Sequence, residues 1–129
     1  MDGGASNHPL SKKVAIKFFK KSDSNIDFYK EAVAASHLKH NNIVEFIGIC
    51  LEINGIVLEL MKGGQLLSYL RCMGQNFSRL DIVTMILDVV KGCAYLEQVN
   101  YVHRDLAARN CLLTSTDPRT RVVIYCRVL

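Results

Sequence analysis

The chain has 129 residues, half of them hydrophobic and 22% charged, a composition that builds one modest domain with one core and excludes a disordered polymer. Its net charge of +4 comes from basic residues scattered along the sequence, apart from Lys12-Lys13 and Lys20-Lys21, with no interleaved aromatic residues; the two clusters read as solvated faces, and nucleic acid is not an expected partner. No apolar run is long enough to cross a bilayer, and the first residues lack the basic and apolar regions of a signal peptide.

The cysteines Cys50, Cys72, Cys93, Cys111 and Cys126 are odd in number, with no Cys-x-x-Cys pair. Neither a zinc site nor a disulfide framework is indicated, and a reducing, intracellular setting fits. Residues 1–11, rich in Gly, Ser, Asn and Pro, read as loop. Residues 14–19 have strand composition, with Val14, Ile16 and Phe18 on one face and Ala15, Lys17 and Phe19 on the other.

A helix is predicted next. Ser24 and Asp27 make a capping-box pattern ahead of an apolar spacing at Phe28, Ala32, Ala35 and Leu38. Glu31 borders that stripe, and a carboxylate there requires a cationic partner. Residues 43–53 and 56–61 read as strands joined at Asn54-Gly55, the strongest short hairpin signal. Lys62-Gly63-Gly64 breaks the second strand, 66–71 reads as a short helical turn, and 73–77 as loop.

Residues 80–98 are helical with two apolar stripes: Leu80, Val83, Leu87, Val90 and Ala94, and Ile82, Ile86, Val89, Cys93 and Leu96. A helix apolar on both sides is expected to be buried within a larger body, and Ser78 with Asp81 supplies a cap. The order gives an α+β arrangement, sheet-rich first and helical second.

The run His103-Arg104-Asp105-Leu106-Ala107-Ala108-Arg109-Asn110 follows that helix, and Val14-Ala15-Ile16-Lys17 precedes it. Together they match the protein-kinase signature set. From about residue 12 to 123 the chain resembles a receptor-type protein-tyrosine kinase domain. Cys111-Leu112-Leu113 and Glu59-Leu60-Met61-Lys62-Gly63-Gly64 are similar to the sevenless class and its relatives.

The resemblance implies a protein-kinase-like fold: a partial small β-rich lobe with an αC-type helix at 12–61, a connector at 62–66, the start of the helical large lobe at 67–123, and an aberrant tail at 124–129. Lys17 would hold ATP phosphates and Glu31 would orient it; alone, Lys17 reads better as a surface lysine on an edge strand, and it is the pairing with Glu31 and the later loop that favours the functional reading. Ala15 would lie against adenine, Leu58 would be the gatekeeper, and Glu59, Leu60 and Met61 would be the hinge. Leu112 would pack beneath the ring, although these are equally ordinary core residues without the other motifs. Gln65 falls near the expected ribose position.

Asp105 would accept or orient the substrate hydroxyl's proton, and Asn110 would bind Mg²⁺. His103 would be largely structural, and Arg104 would meet a phosphorylated activation-loop residue. Serine/threonine kinases usually carry a lysine where Ala107 stands; Arg109 is the tyrosine-kinase arrangement, so protein tyrosine is the expected acceptor. ATP and Mg²⁺ are the implied cofactors, and the implied parent is a transmembrane receptor with this domain on its cytoplasmic side.

Two family motifs have no counterpart among these residues. No Gly-x-Gly-x-x-Gly precedes Lys17, and no carboxylate follows Asp117 to serve as the Asp of Asp-Phe-Gly. The expectation is a kinase-domain fragment, truncated at both ends, that transfers no phosphate as it stands: an incomplete gene model, an alternative transcript or a frameshifted remnant. Alternatives are a non-catalytic, interfering binding protein and a chain that does not fold alone. The second stripe of the 80–98 helix is expected to lack partners, leaving exposed apolar surface.

Overall fold

The computed structural model describes residues 11–20, 25–73, 76–116 and 120–126. Strand β1 (Val14–Phe18), helix α1 (Asn25–Ser36), strand β2 (Phe46–Cys50) and strand β3 (Gly55–Glu59) make the first half. They form an antiparallel sheet of order β1-β3-β2, in which Lys17 pairs with Ile56. Ala15 and Lys17 are half-buried whereas Val14, Ile16 and Phe18 are exposed, so the period-2 alternation holds.

Helix α1 covers the sheet with Phe28 and Ala32, which pack on Ile56, and Phe19 meets Phe28 edge-on at 5.1 Å. Glu31 is buried in the same stripe. Ser24, the proposed cap, lies outside the described residues. The predicted stripe does not extend to Leu38: the helix ends at Ser36, where Ser36 Oγ and His37 Nδ1 both reach the Val33 carbonyl at 2.7 Å. Side chains there replace the continuing backbone bonds. Leu38 instead joins a core with Ile43, Leu96 and Ile124.

Asn54-Gly55 does mark the hairpin, but the strands are shorter than expected. β2 stops at Cys50, Leu51–Ile53 form a single 3₁₀ turn, and Asn54 closes it with φ 48. Upstream, Ile43 bridges Ile124 in parallel and Val44 N–H donates to the Ile124 carbonyl at 3.0 Å. Residues 43–44 therefore belong to the junction between the halves rather than to β2.

The second half comprises β4 (Gly64–Gln65), α2 (Leu66–Met73), α3 (Arg79–Gln98), β5 (Cys111–Leu113) and β6 (Val122–Ile124), with an antiparallel sheet of order β4-β5-β6. Gly63 permits that sheet's closeness: a Cβ there would lie 2.4 Å from both Leu113 Cβ and the Ser115 carbonyl oxygen. The α3 cap is as read, with Ser78 Oγ accepting from Asp81 N–H and the Asp81 carboxylate accepting from Ser78 N–H.

The burial of α3 differs from expectation. Leu80, Val83, Leu87, Val90 and Ala94 of the first stripe are all exposed, as are Ile82 and Ile86 of the second. Val89, Cys93 and Leu96 are the stripe members that pack on the core. β6 takes their side because Gly92 lets it approach; a Cβ there would lie 2.7 Å from Ile124 Cδ1. The helix is therefore not enclosed by the described residues, and it is the first stripe whose members are all exposed.

Asn42, buried, ties the halves together. Its Nδ2 donates to the Val122 carbonyl at 2.9 Å, while its own carbonyl accepts from Ile124 N–H at 2.8 Å. Ile124 is fully buried, so regular structure runs one residue past the point where the motif resemblance ends.

Candidate functional site

A cleft of about 400 Å³ lies between the two sheets. Ala15, Lys17, Leu58, Glu59, Leu60, Met61 and Leu112 all line it, together with Gln65, Arg109 and Asn110. Strand β1 brings Ala15 and Lys17 to it along with the intervening Ile16, the end of β3 supplies Leu58 and Glu59, and β5 supplies Leu112. Glu31 and Asp105 are not wall residues; each reaches the cleft through a partner. A concavity of about 460 Å³ lined by Lys39, His40, Glu45 and Arg121 is larger, but apart from Glu59 it contains none of the candidate residues.

Lys17 Nζ donates to Glu31 Oε1. The Lys17 side chain is 25% exposed and that of Glu31 9%, so the pair is partly withdrawn from water and each charge depends on the other. The ammonium also lies 4.9 Å from the Phe19 ring centroid and 5.8 Å from that of Tyr125.

The loop after α3 is held by its own polar groups. Arg104 has φ 66, and Asp105 N–H donates to His103 Nδ1 at 3.2 Å. With Nδ1 accepting, Nε2 carries the proton and donates to the Tyr125 carbonyl at 2.7 Å. Asp105 Oδ1 accepts from Arg109 Nη2 at 2.5 Å, and Oδ2 accepts from Asn110 Nδ2 at 3.0 Å. Asn110 Nδ2 also donates to the Asp105 carbonyl at 2.8 Å. The amide nitrogen of Asn110 is thus turned to Asp105, and its oxygen is the group left for a ligand.

Known proteins decide the family. A model described as "Protein tyrosine and serine/threonine kinase" matches residues 3–124. The chain belongs to this kinase family. It is 47% identical over 116 residues to "Proto-oncogene tyrosine-protein kinase ROS" of Mus musculus, covering 81% of this chain and 5% of that protein. It is 41% identical over 129 residues to "Protein sevenless" of Drosophila melanogaster, covering 87% and 5%. "Tyrosine-protein kinase transforming protein ros" of UR2 avian sarcoma virus is 42% identical over 113 residues, 79% of this chain and 28% of that protein. The chain thus spans about one-twentieth of the ROS and sevenless proteins, and its α+β architecture is part of a kinase domain with the sevenless-type kinship that its motifs suggested.

As a kinase cleft, the site fits a nucleotide better than it fits a metal. An apolar slot with a fixed cation suits an aromatic base and phosphates. Mg²⁺ demands near-octahedral oxygen donors, usually with carboxylates. Among the described residues no group of three His, Cys, Asp or Glu side chains converges on a metal position. Asn110 supplies one neutral oxygen, so these residues alone do not make a magnesium site.

Tyr125 was missed. On sequence alone it belongs to an aberrant tail, yet it lines the cleft and its N–H donates to the Asn110 carbonyl at 2.8 Å. The available signal was alternation along β6: Val123 joins a core with Val44 and Met61 on which Tyr125 packs, whereas Val122 and Ile124 enter other clusters.

Proposed function

We propose that the chain is the part of a protein-tyrosine kinase domain that binds ATP and orients a tyrosine hydroxyl for attack on the γ-phosphate. The observation that carries this reading is the Lys17–Glu31 pair, which fixes one cation in the same cleft that Arg109 and Asn110 line. A held cation is what phosphoryl transfer needs first. Ala107 and Arg109 favour a tyrosine acceptor, and the tyrosine-kinase relatives support it. The parent is a membrane receptor with this domain inside the cell, and protein tyrosines are its substrates. No helix among the described residues is long and apolar enough to cross a membrane.

Among the described residues the metal donors fall short, and we infer that the isolated polypeptide binds nucleotide without transferring phosphate. Thermal unfolding with and without Mg-ATP tests the first part: bound nucleotide raises the midpoint. Incorporation into a poly-Glu/Tyr substrate tests the second. Transfer abolished by Asp105→Asn would overturn inactivity, and an unmoved midpoint would remove nucleotide binding.

A second reading, a non-catalytic associating protein, is favoured by the exposed apolar face of α3, where Leu80 is 74% exposed. It predicts that Lys17→Ala leaves association unchanged, whereas the nucleotide reading predicts loss of the midpoint shift.

A further inference from the structure

We propose that Tyr125 is a positioning residue for Lys17, a ring against which the ammonium of the cleft rests. The proposal builds on the reading of the cleft as a nucleotide site and adds the group that holds its cation in place. The backbone of Tyr125 is clamped on both sides by the His103–Asn110 run. Its N–H donates to the Asn110 carbonyl at 2.8 Å, and its carbonyl accepts from His103 Nε2 at 2.7 Å. Its side chain is thereby anchored to the loop that carries Asp105.

From that anchor the ring packs on the Val44, Met61 and Val123 cluster beside Leu58 and Leu112, and lines the cleft. The Lys17 ammonium lies 5.8 Å from its centroid, within the ~6 Å reach over which a ring face attracts a cation. Phe19, at 4.9 Å, and Glu31 complete the surroundings of the charge. Lys17 sits on β1 in the first sheet, while Tyr125 follows β6 in the second. The Tyr125 ring is thus a direct link between the cation of one half and the Asp105 loop of the other. An aliphatic side chain could fill the same space but would offer the ammonium no negative face.

The test uses the 129-residue chain with its lysines ¹³C-dimethylated, the Lys17 resonance being assigned by its loss in Lys17→Arg. A nuclear Overhauser contact between the Lys17 methyls and the Tyr125 ring protons is expected, with the Lys17 resonance displaced by the ring current. Tyr125→Phe keeps that displacement; Tyr125→Leu moves the resonance toward that of solvent lysines and raises the Kd for Mg-ATP about two- to five-fold. Absence of the contact in the parent chain, or an unmoved resonance in a folded Tyr125→Leu, overturns the proposal. Should Tyr125→Leu fail to fold, the contact in the parent and its retention in Tyr125→Phe decide. If the contact and displacement persist while no chain binds Mg-ATP, Tyr125 positions Lys17 and the nucleotide reading falls by itself.

Discussion

Lys17 on β1 and Glu31 on α1, fourteen residues apart, meet as an ion pair at the edge of the cleft. The pair is asymmetric, because Glu31 is much the more deeply withdrawn from water. Removing its partner leaves a carboxylate with little access to solvent. Lys17→Met is therefore expected to destabilise the fold by about 2–4 kcal/mol, at or below the usual range for breaking a buried pair because Lys17 is itself part-exposed. Lys17→Met/Glu31→Gln should recover much of that loss. Urea unfolding of the two variants measures it; equal stability of Lys17→Met and the parent chain would show that the pair is not buried in solution.

The Asp105–Arg109 pair sets the opposite expectation. Its side chains are 46% and 56% exposed, and exposed pairs contribute at most about 1 kcal/mol. Arg109→Ala should change the unfolding free energy by less than that. A larger loss would mean that the loop depends on the guanidinium for its shape.

Gly63 has no room for a methyl group. A Cβ there would meet Leu113 Cβ and the Ser115 carbonyl at 2.4 Å, and neither obstacle is the far end of a flexible side chain. Gly63→Ala is expected to destabilise by about 1–3 kcal/mol through forced backbone movement. Gly48→Ala, where nothing lies within 4 Å, is the control and should not suffer this clash. Comparable melting points for the two variants would contradict the packing.

The cap of α3 gives a pH dependence. Hydrogen bonds from the Ser78 side chain and backbone hold the Asp81 carboxyl below its ordinary value of 3.8. A carboxylate favoured in the fold contributes stability that is present above 3.8 and lost as pH falls through the lowered folded-state value. Hydrogen exchange of the first turn of α3 should quicken, relative to its intrinsic rate, on going from pH 5 to acid below 3.8. Asp81→Asn should show little further change.

Tyr101 works in the other direction at the alkaline end. Burial, followed by the neighbouring Cys126, Glu31 and Tyr125, pushes its hydroxyl from 10.0 up to about 12. The fold favours the neutral phenol, so this stability is complete below pH 10 and is lost as pH rises toward 12. Absorbance at 295 nm should show a late-titrating tyrosine that disappears in Tyr101→Phe. Complete titration of the parent by pH 11 would contradict the burial.

Short-range features were legible because they depend on neighbours in the chain. The Ser78–Asp81 cap, the turn at Asn54-Gly55 and the alternation that turns Ala15 and Lys17 inward were read from local spacing, as was the need of Glu31 for a cation. Limits set by long-range packing were misjudged. β2 begins only at Phe46 because residues 43–44 are claimed by Ile124, some eighty positions away, and no local pattern encodes that competition.

By itself the sequence determined the family, through Lys17 and the His103–Asn110 run, because those side chains must recur at set spacings for the chemistry to work. It also named the residues that line the cleft, Ala15, Lys17, Leu58, Glu59, Leu60, Met61 and Leu112. Tertiary structure decided which stripe of α3 is covered, because only the side relieved at Gly92 admits β6. It also decided that Tyr125 belongs to the cleft: hydrogen bonds that its backbone makes with the His103 imidazole and the Asn110 carbonyl carry its ring to Lys17, more than a hundred residues earlier in the chain.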